Sequence, residues 1–396
     1  MRILLLAPFI CTLPLRANTA RPYYWLKSLS RRHDVTFVCF ADPGEDAVVP
    51  AGLCSRSAVV IRRPRRGFAA RAANLFSRRP YFLGEQFRSD EMFRTVAEIC
   101  RPGPFDVVHC CSLAMAQYVP PAAGRVKVLD GIDCNARNNL QQAVFPLGVR
   151  NRLLSWVDWR KLRNYEPGQY RRFDAGLLAS PQDKDFLLGL DAALPLRVLP
   201  NGVDLDYFKP GAAPDVKTGT EVVFAGPMGY PPNRDAVRFF CSEVLPLILK
   251  KRPGTVFRVL GRTGGDEPAV RGAAAGSVVF AGHVPDVRPF LAAAGAVVCP
   301  LRMGTGIKTK VLEAMAMGKA VVMTPVAAEG IRASAEKDYL CASSAREISE
   351  ALLKVLADPG MAASLGASAR KAAEEGHNWE TLSSGLEKIY EELLQA

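Results

Sequence analysis

Two lysines and a glutamate, Lys308, Lys310 and Glu313, stand just after a glycine loop, Gly304-Thr305-Gly306, and an apolar segment ending at Pro300. The pattern predicts a buried strand end, a loop and a short helix that opens with both lysines. Gly318 terminates that helix, and a second apolar strand, Ala320–Met323, follows. Cations are unfavourable at a helix start, where the backbone carries partial positive charge. An anion docked on the loop and on the free amides of the first turn turns the lysines into counter-ions. Glu313, three residues past Lys310, shares its helical face. The set suits a pyrophosphate held by cations beside a sugar hydroxyl held by a carboxylate. A surface helix with solvated lysines is the plainer alternative.

Such a loop must be positioned by strands, and apolar runs alternate with helical stretches almost throughout. Predicted strands are Ile3–Ala7, Val35–Phe40, Val59–Ile61, Asp106–His109, Val126–Leu129, Gly176–Ala179 and Arg197–Leu199. A second series comprises Glu221–Ala225, Val256–Leu260, Val278–Ala281, Ala296–Cys299 and Ala320–Met323. Helical periods include Thr19–Ser30, Asp90–Arg101, Ser155–Arg172, Ala236–Lys251 and Ile348–Leu356. Alternation of this kind makes parallel, doubly wound sheets, and two series imply two Rossmann-like domains. The Asn201-Gly202 turn signal marks the boundary, giving domains over 1–199 and 200–378, and a last helix over 379–396. Asp204-Leu205-Asp206 imitates a metal-binding carboxylate pair, but no strand runs into it, so it is read as structural.

The chain has 396 residues, 49% of them hydrophobic and 23% charged, the balance of a globular protein with ample core. Its ten cysteines are scattered, with no CxxC, and read as reduced and mostly buried thiols in a cytoplasmic protein. Zinc finds no ligand set among the four histidines. Met1–Leu15 has an apolar run but two prolines and no convincing cleavage site, and no run reaches the length of a bilayer span. The net charge of +12 is clustered: ten arginines face three acids between Arg56 and Arg94. Phe68, Leu75, Phe76, Tyr81, Phe82 and Phe87 are interleaved with them. A second cluster holds Arg150, Arg152, Arg160, Lys161, Arg163, Arg171 and Arg172. Both would attract an anionic membrane surface, the first as an interfacial segment; a solvated basic loop over a small core is the alternative. No nucleic-acid-binding module is present.

The ordered elements Asn201-Gly202-Val203-Asp204, Phe224-Ala225-Gly226, Gly261, Gly282-His283-Val284, Pro300 and Lys310-x-x-Glu313-Ala314-Met315-Ala316-x-Gly318 resemble glycosyltransferase family four. Ala17-Asn18-Thr19-Ala20-Arg21, Val128-Leu129-Asp130 with Asp133, and Tyr165-Glu166 make it most similar to bacterial sugar transferases associated with exosortase and exopolysaccharide genes. The resemblance implies an α/β GT-B fold: two Rossmann-like domains, a cleft between them, and a C-terminal helix, opened by Trp379, that crosses back to the first. It implies a retaining transferase that takes a nucleotide-sugar donor without metal or other cofactor. A lipid-linked or polysaccharide acceptor is expected, at the inner face of the cytoplasmic membrane.

Roles carried over by the resemblance place Lys310, with Lys308, on the pyrophosphate and Glu313 on the ribose. Gly304, Thr305 and Gly306 would lend amides to phosphate and donor sugar, and Gly226, Gly261 and Val284 would line the donor site. His109 would face the donor sugar, with a satisfied core histidine beside two cysteines as the alternative. Asn18, Arg21 and Asp130 fall on the acceptor side, although solvation explains Arg21 and an Asx turn explains Asp130 as well. Glu166 reads as one half of a surface salt bridge. The sequence departs from the family pattern twice. Thr305 stands where an earlier glutamate is usual, and Pro227-Met228-Gly229-Tyr230 replaces a basic residue, leaving Asn233 to bond phosphate. An epimerase of the same fold and a degenerate nucleotide- or glycan-binding subunit are the alternatives.

Overall fold

The computed structural model describes residues 1–11, 17–45, 47–63, 74, 77–81, 83, 86–145, 149–211, 219, 221–263 and 276–396; Ala17, Asn18, Val149 and Arg150 are described by backbone alone. Phe68, Leu75, Phe76, Phe82 and several arginines of the first basic cluster therefore lie outside the described residues, as do the side chains of Asn18 and Arg150. The chain divides into two compact units, Met1–Pro200 with Glu380–Ala396, and Asn201–Trp379.

The first unit is built on seven parallel strands: β1 (Arg2–Ala7), β2 (Asp34–Ala41), β3 (Arg56–Ile61), β4 (Phe105–Cys111), β5 (Gly124–Ile132), β6 (Ala175–Leu178) and β7 (Leu196–Val198). They lie in the order β3-β2-β1-β4-β5-β6-β7. The central strands are apolar without alternation, as β1 and β2 show, because parallel sheets bury both faces. Order reverses between β1 and β4, where strand ends splay apart and ligands of such sheets bind. Leu4, Leu6, Val38, Phe40 and Val108 form the core with Met92 and Val96 of the Asp90–Cys100 helix. Phe87, read as part of an interfacial segment, packs against Phe9 and Phe40 in this core, so that reading fails for it. The last helix, Trp379–Gln395, adds Glu387 beside Arg32 and His33, and Glu392 beside Arg197.

Glu166 overturns its surface reading. It lies in the Val149–Tyr170 helix, is fully buried, and accepts from the backbone amides of Asn135 and Ala136. Those amides open the Asn135–Val144 helix, so the carboxylate caps a neighbour's positive end. Burial pushes Glu166 up to about 7 even though these amides pull it down.

The second unit repeats the topology with six parallel strands: β8 (Glu221–Ala225), β9 (Val256–Leu260), β10 (Val278–Gly282), β11 (Ala296–Cys299), β12 (Val321–Met323) and β13 (Leu340–Cys341). Their order is β10-β9-β8-β11-β12-β13, reversing between β8 and β11. The stretch expected as one helix over Ala236–Lys251 is instead an α-helix (Pro231–Phe239), a π turn (Phe240–Val244) and a second α-helix (Leu245–Lys251). Pro246 cannot donate a backbone hydrogen bond, and the widened turn before it absorbs that loss. Asp204 Oδ1 accepts from the amides of Asp206 and Tyr207, which agrees with the structural reading of that pair.

The two ends of this unit are tied together. Val203 bridges Asn378, the Val203 amide donates to His377 O at 2.8 Å, and the Trp379 ring fills the space a side chain at Gly202 would need. His377 is fully buried; Nδ1–H donates to Asn201 O at 2.7 Å and Nε2 accepts from the Arg332 amide at 2.9 Å. Both nitrogens are used by the neutral ring, and burial holds it down at about 4. A lowered histidine binds fewer protons folded than unfolded, so its contribution is complete above the ordinary value of 6.5 and is lost as pH falls through about 4. Denaturation across that range should show stability falling on acidification by on the order of 3 kcal/mol from this residue. His377→Gln should be less stable at neutral pH and lose that slope; an unchanged slope would refute the assignment.

Candidate active site

The loop and helix that carry Lys308, Lys310 and Glu313 follow β11, beside the end of β8, at the order reversal of the second sheet. The helix is Thr309–Ala316, with Lys308 at its N-cap and no side chain capping its first turn. Its other end is closed by a Schellman motif: Gly318 takes φ +65°, its amide donates to Met315 O, and the Lys319 amide donates to Ala314 O. Arg370 adds a bond to Ala316 O at 2.7 Å. Val311, Leu312, Ala314 and Met315 are buried, which turns Lys310 and Glu313 toward the loop side.

Lys310 is held unusually well. Its Nζ lies 4.2 Å from the centroid of the Phe224 ring and donates to Asn233 Oδ1 at 2.5 Å. A Cβ on Gly226, whose φ is +154°, would come within 2.6 Å of both Lys310 Nζ and Asn233 Nδ2. The glycine is thus required by the lysine's own seat. Asn233 Nδ2 in turn donates to Pro227 O at 3.0 Å. Both polar ends of Asn233 are committed inside the protein, so it positions Lys310 where the sequence suggested a phosphate ligand. Burial pushes Lys310 down to about 8, which Cys299 and Glu313 partly oppose, and pushes Glu313 up to about 7 against the pull of Lys310.

Lys308 departs from its expected role. Its side chain turns back to donate to the carbonyls of Gly304 (3.4 Å), Thr305 (3.2 Å) and Gly306 (2.6 Å), so it braces the loop from within. Gly304 and Gly306 take φ +126° and +70°, the left-handed backbone this wrap demands. Thr305 is half-buried. Gly261 ends the next strand: its own Cβ would sit 2.4 Å from Gly226 O, and its amide donates to Gly282 O. Gly226, Gly261 and Gly282 therefore step across three neighbouring strand ends, and Gly261 serves close packing there. Val284 lies two residues beyond β10, half-buried. The pattern-based reading missed a clamp: Arg302 Nε and Nη2 donate to Asp235 Oδ2 and Oδ1 at 3.0 and 2.6 Å, fastening the loop to the Pro231–Phe239 helix. The two residues lie 67 apart in sequence, and no local signal links them.

In the first unit, the residues expected near donor and acceptor form a closed cluster. His109 has no accessible surface; Nδ1 meets the Tyr390 hydroxyl at 2.6 Å, and Nε2 lies 3.4 Å from Asp130 Oδ2. The same Asp130 oxygen accepts from Arg21 Nε at 2.7 Å and from Trp25 Nε1 at 3.0 Å, while Arg21 Nη1 donates to Pro200 O. His109 thus faces the last helix and presents nothing to a sugar. Arg21 is neither solvated nor exposed to an acceptor, and Asp130 lies within β5 and forms no turn. Burial alone would raise Asp130, but Arg21 and His109 hold it well below the usual carboxylate range. His109, Cys111 and Asp130 place possible metal ligands within 4.8 Å of one another, yet the Arg21 cation already occupies the carboxylate.

Comparison with known proteins accords with this geometry. Residues 23–207 match the model described as Glycosyltransferase Family 4, and residues 219–358 match Glycosyl transferases group 1. The chain belongs to the GT-B glycosyltransferases. Its fold is similar to sucrose-phosphate synthase from Thermosynechococcus elongatus, with TM-score 0.68 and 15% identity over 100% of this chain and 99% of that one. A glycosyltransferase from Rickettsia africae aligns at TM-score 0.66 and 13% identity over 99% and 98% of the two chains. Anabaena HepE in complex with UDP and glucose aligns at 0.64 and 13% over 98% of each. No curated protein sequence matches this glycosyltransferase.

The seat of Lys310 makes Gly226 the sharpest test of the geometry. Gly226→Ala should abolish nucleotide binding in calorimetry while costing only about 1–3 kcal/mol of stability, since the crowding is confined to the strand end. Unchanged binding would show that Lys310 does not need this seat.

Proposed function

We propose that this glycosyltransferase moves a sugar from a nucleotide-sugar donor to a hydroxyl of a lipid-linked or polysaccharide acceptor, with retention and without metal. The observation that carries the donor side is Lys310, a largely buried ammonium with Asn233 Oδ1 as its one hydrogen-bond partner among the described residues. It stands at an uncapped helix start beside a glycine loop. Such a cation has protons to offer phosphate oxygens, and the first-turn amides add to it. Glu313, one turn on, suits a ribose hydroxyl. Support also comes from HepE, whose structures hold UDP and UDP-glucose.

As the bond from the anomeric carbon to the phosphate oxygen breaks, its electron pair stays on the leaving nucleoside diphosphate. Lys310 and the helix amides meet more charge there than in the ground state, and this difference lowers the barrier. The acceptor hydroxyl attacks the same face and passes its proton to the departing phosphate. This route asks nothing of the enclosed His109. Lys308 contributes indirectly, by fixing the loop amides. The cytoplasmic face of an anionic membrane, in bacterial exopolysaccharide assembly, is the setting that the basic clusters favour.

Metal-free thermal-shift screening against uridine, guanosine, adenosine and thymidine diphosphates and their sugar conjugates should stabilise the wild type with one base series. Lys310→Ala should abolish that shift and lower kcat/KM by roughly two to three orders of magnitude, as loss of an oxyanion donor does. Glu313→Gln should chiefly weaken donor binding. Because Lys310 of the free site deprotonates near 8, diphosphate affinity should fall by up to about tenfold per unit above that pH. Wild-type turnover in Lys310→Ala would overturn the assignment, and no shift with any nucleotide would favour a degenerate glycan-binding subunit.

A further inference from the structure

The Val149–Tyr170 helix carries five basic residues against two acids, and the structure removes both acids from its outer face. Glu166 is buried as the cap described above, and Asp158 accepts from the Tyr81 amide. Lys161 is also spoken for, donating to Asn74 O and Oδ1. What remains outward is Arg152, Leu153, Trp156, Arg160 and Arg163, spaced along one helical face, with Arg152 Nε also donating to Ala143 O. On it Leu153 is 59% exposed and Trp156 43%, two large apolar side chains left open to solvent on one helical face. The Arg160 guanidinium stacks 4.8 Å from the Trp156 ring centroid and Arg163 stacks 5.5 Å from that of Trp159, each one helical turn on. Neither arginine has an acidic partner among the described residues.

We infer that this face of the Val149–Tyr170 helix docks on an anionic lipid surface, with Leu153 and Trp156 entering the headgroup boundary, Arg160 and Arg163 meeting lipid phosphates, and Arg152, through its remaining donors, adding to them. The combination decides the occupant. An exposed leucine and a tryptophan gain by leaving water, and indole favours the interface between apolar and wet layers. Arginines stacked on indole rings are already partly desolvated and point their donors outward, which suits phosphate oxygens. A protein partner would have to supply acids in register with all three arginines, whereas a fluid anionic bilayer supplies them wherever the helix lies. The first basic cluster has no part in this assignment. The inference deepens the membrane element of the proposed function and rests on it, but requires no sugar transfer.

Flotation of the full chain with phosphatidylcholine vesicles, with and without phosphatidylglycerol, tests it directly. Wild type should float with the anionic vesicles only, and added salt should release it. Arg160→Gln and Arg163→Gln should each weaken binding about fivefold, and Leu153→Glu with Trp156→Glu should lower it at least tenfold. These positions are exposed, so thermal unfolding should be unchanged. The unmodified chain offers a second readout: Trp25 and Trp379 are buried, so quenching of tryptophan emission by brominated lipid reports on Trp156 and Trp159. Equal flotation of all variants, equal flotation on neutral vesicles, or absence of quenching would each overturn the inference. So would loss, in the same variants, of a lipid-independent self-association, which would make the face a protein interface. Nucleotide-induced thermal shifts, measured without vesicles, keep failure here distinct from failure of the transfer reading.

Discussion

A half-buried lysine ammonium, with no carboxylate at ion-pair distance among the described residues, organises the strand ends of the second unit. Lys310 rests on the face of Phe224, against one amide oxygen and beside a glycine backbone. Each neighbour accounts for another. Gly226 leaves room for the ammonium, Gly261 leaves room for Gly226, and Asn233 is fixed by Pro227 so that its oxygen faces the cation. An isolated buried charge is costly, and the depressed proton affinity of Lys310 expresses that cost. A bound diphosphate would relieve it, so the cost is borne by the free protein and returned on binding.

The first unit buries charge on the opposite principle. Asp130 is met at one oxygen, Oδ2, by Arg21 and Trp25 with the His109 edge beside them, and Tyr390 closes the far side of the imidazole. The cluster joins the first helix, two central strands and the last helix, and its carboxylate already faces the Arg21 cation.

Most strands were legible because parallel sheets demand continuous apolar runs, as in Ile3–Ala7 and Glu221–Ala225; the latter keeps its bounds, while Val126–Leu129 grows to Gly124–Ile132. The edge strand Leu340–Cys341 has only two residues, too short for a run to show. The Pro359–Gly376 helix is rich in alanine and glycine, so it carries little apolar stripe to read. Within the site, Lys310 and Glu313 were visible through local spacing. The roles of Lys308 and Asn233 were not, since a side chain's choice between its own loop carbonyls and a ligand depends on backbone directions that spacing does not encode. The fate of His109 hung on Tyr390, 281 residues away, and that of Glu166 on a helix start 31 residues earlier. Buried polar residues look alike in sequence whether they bind or brace.

The tie between Asn201–Val203 and His377–Asn378 makes the second unit a single uninterrupted stretch whose two ends meet. Synthesis must therefore complete it before the first unit is whole. Until Glu380–Ala396 leaves the ribosome, the place of Tyr390 over His109 stands open, and Arg32 and Arg197 lack their carboxylates. The part encoded first is the part that finishes last, and a nascent chain stalled short of this helix would hold a completed second unit joined to a first unit with an open seam.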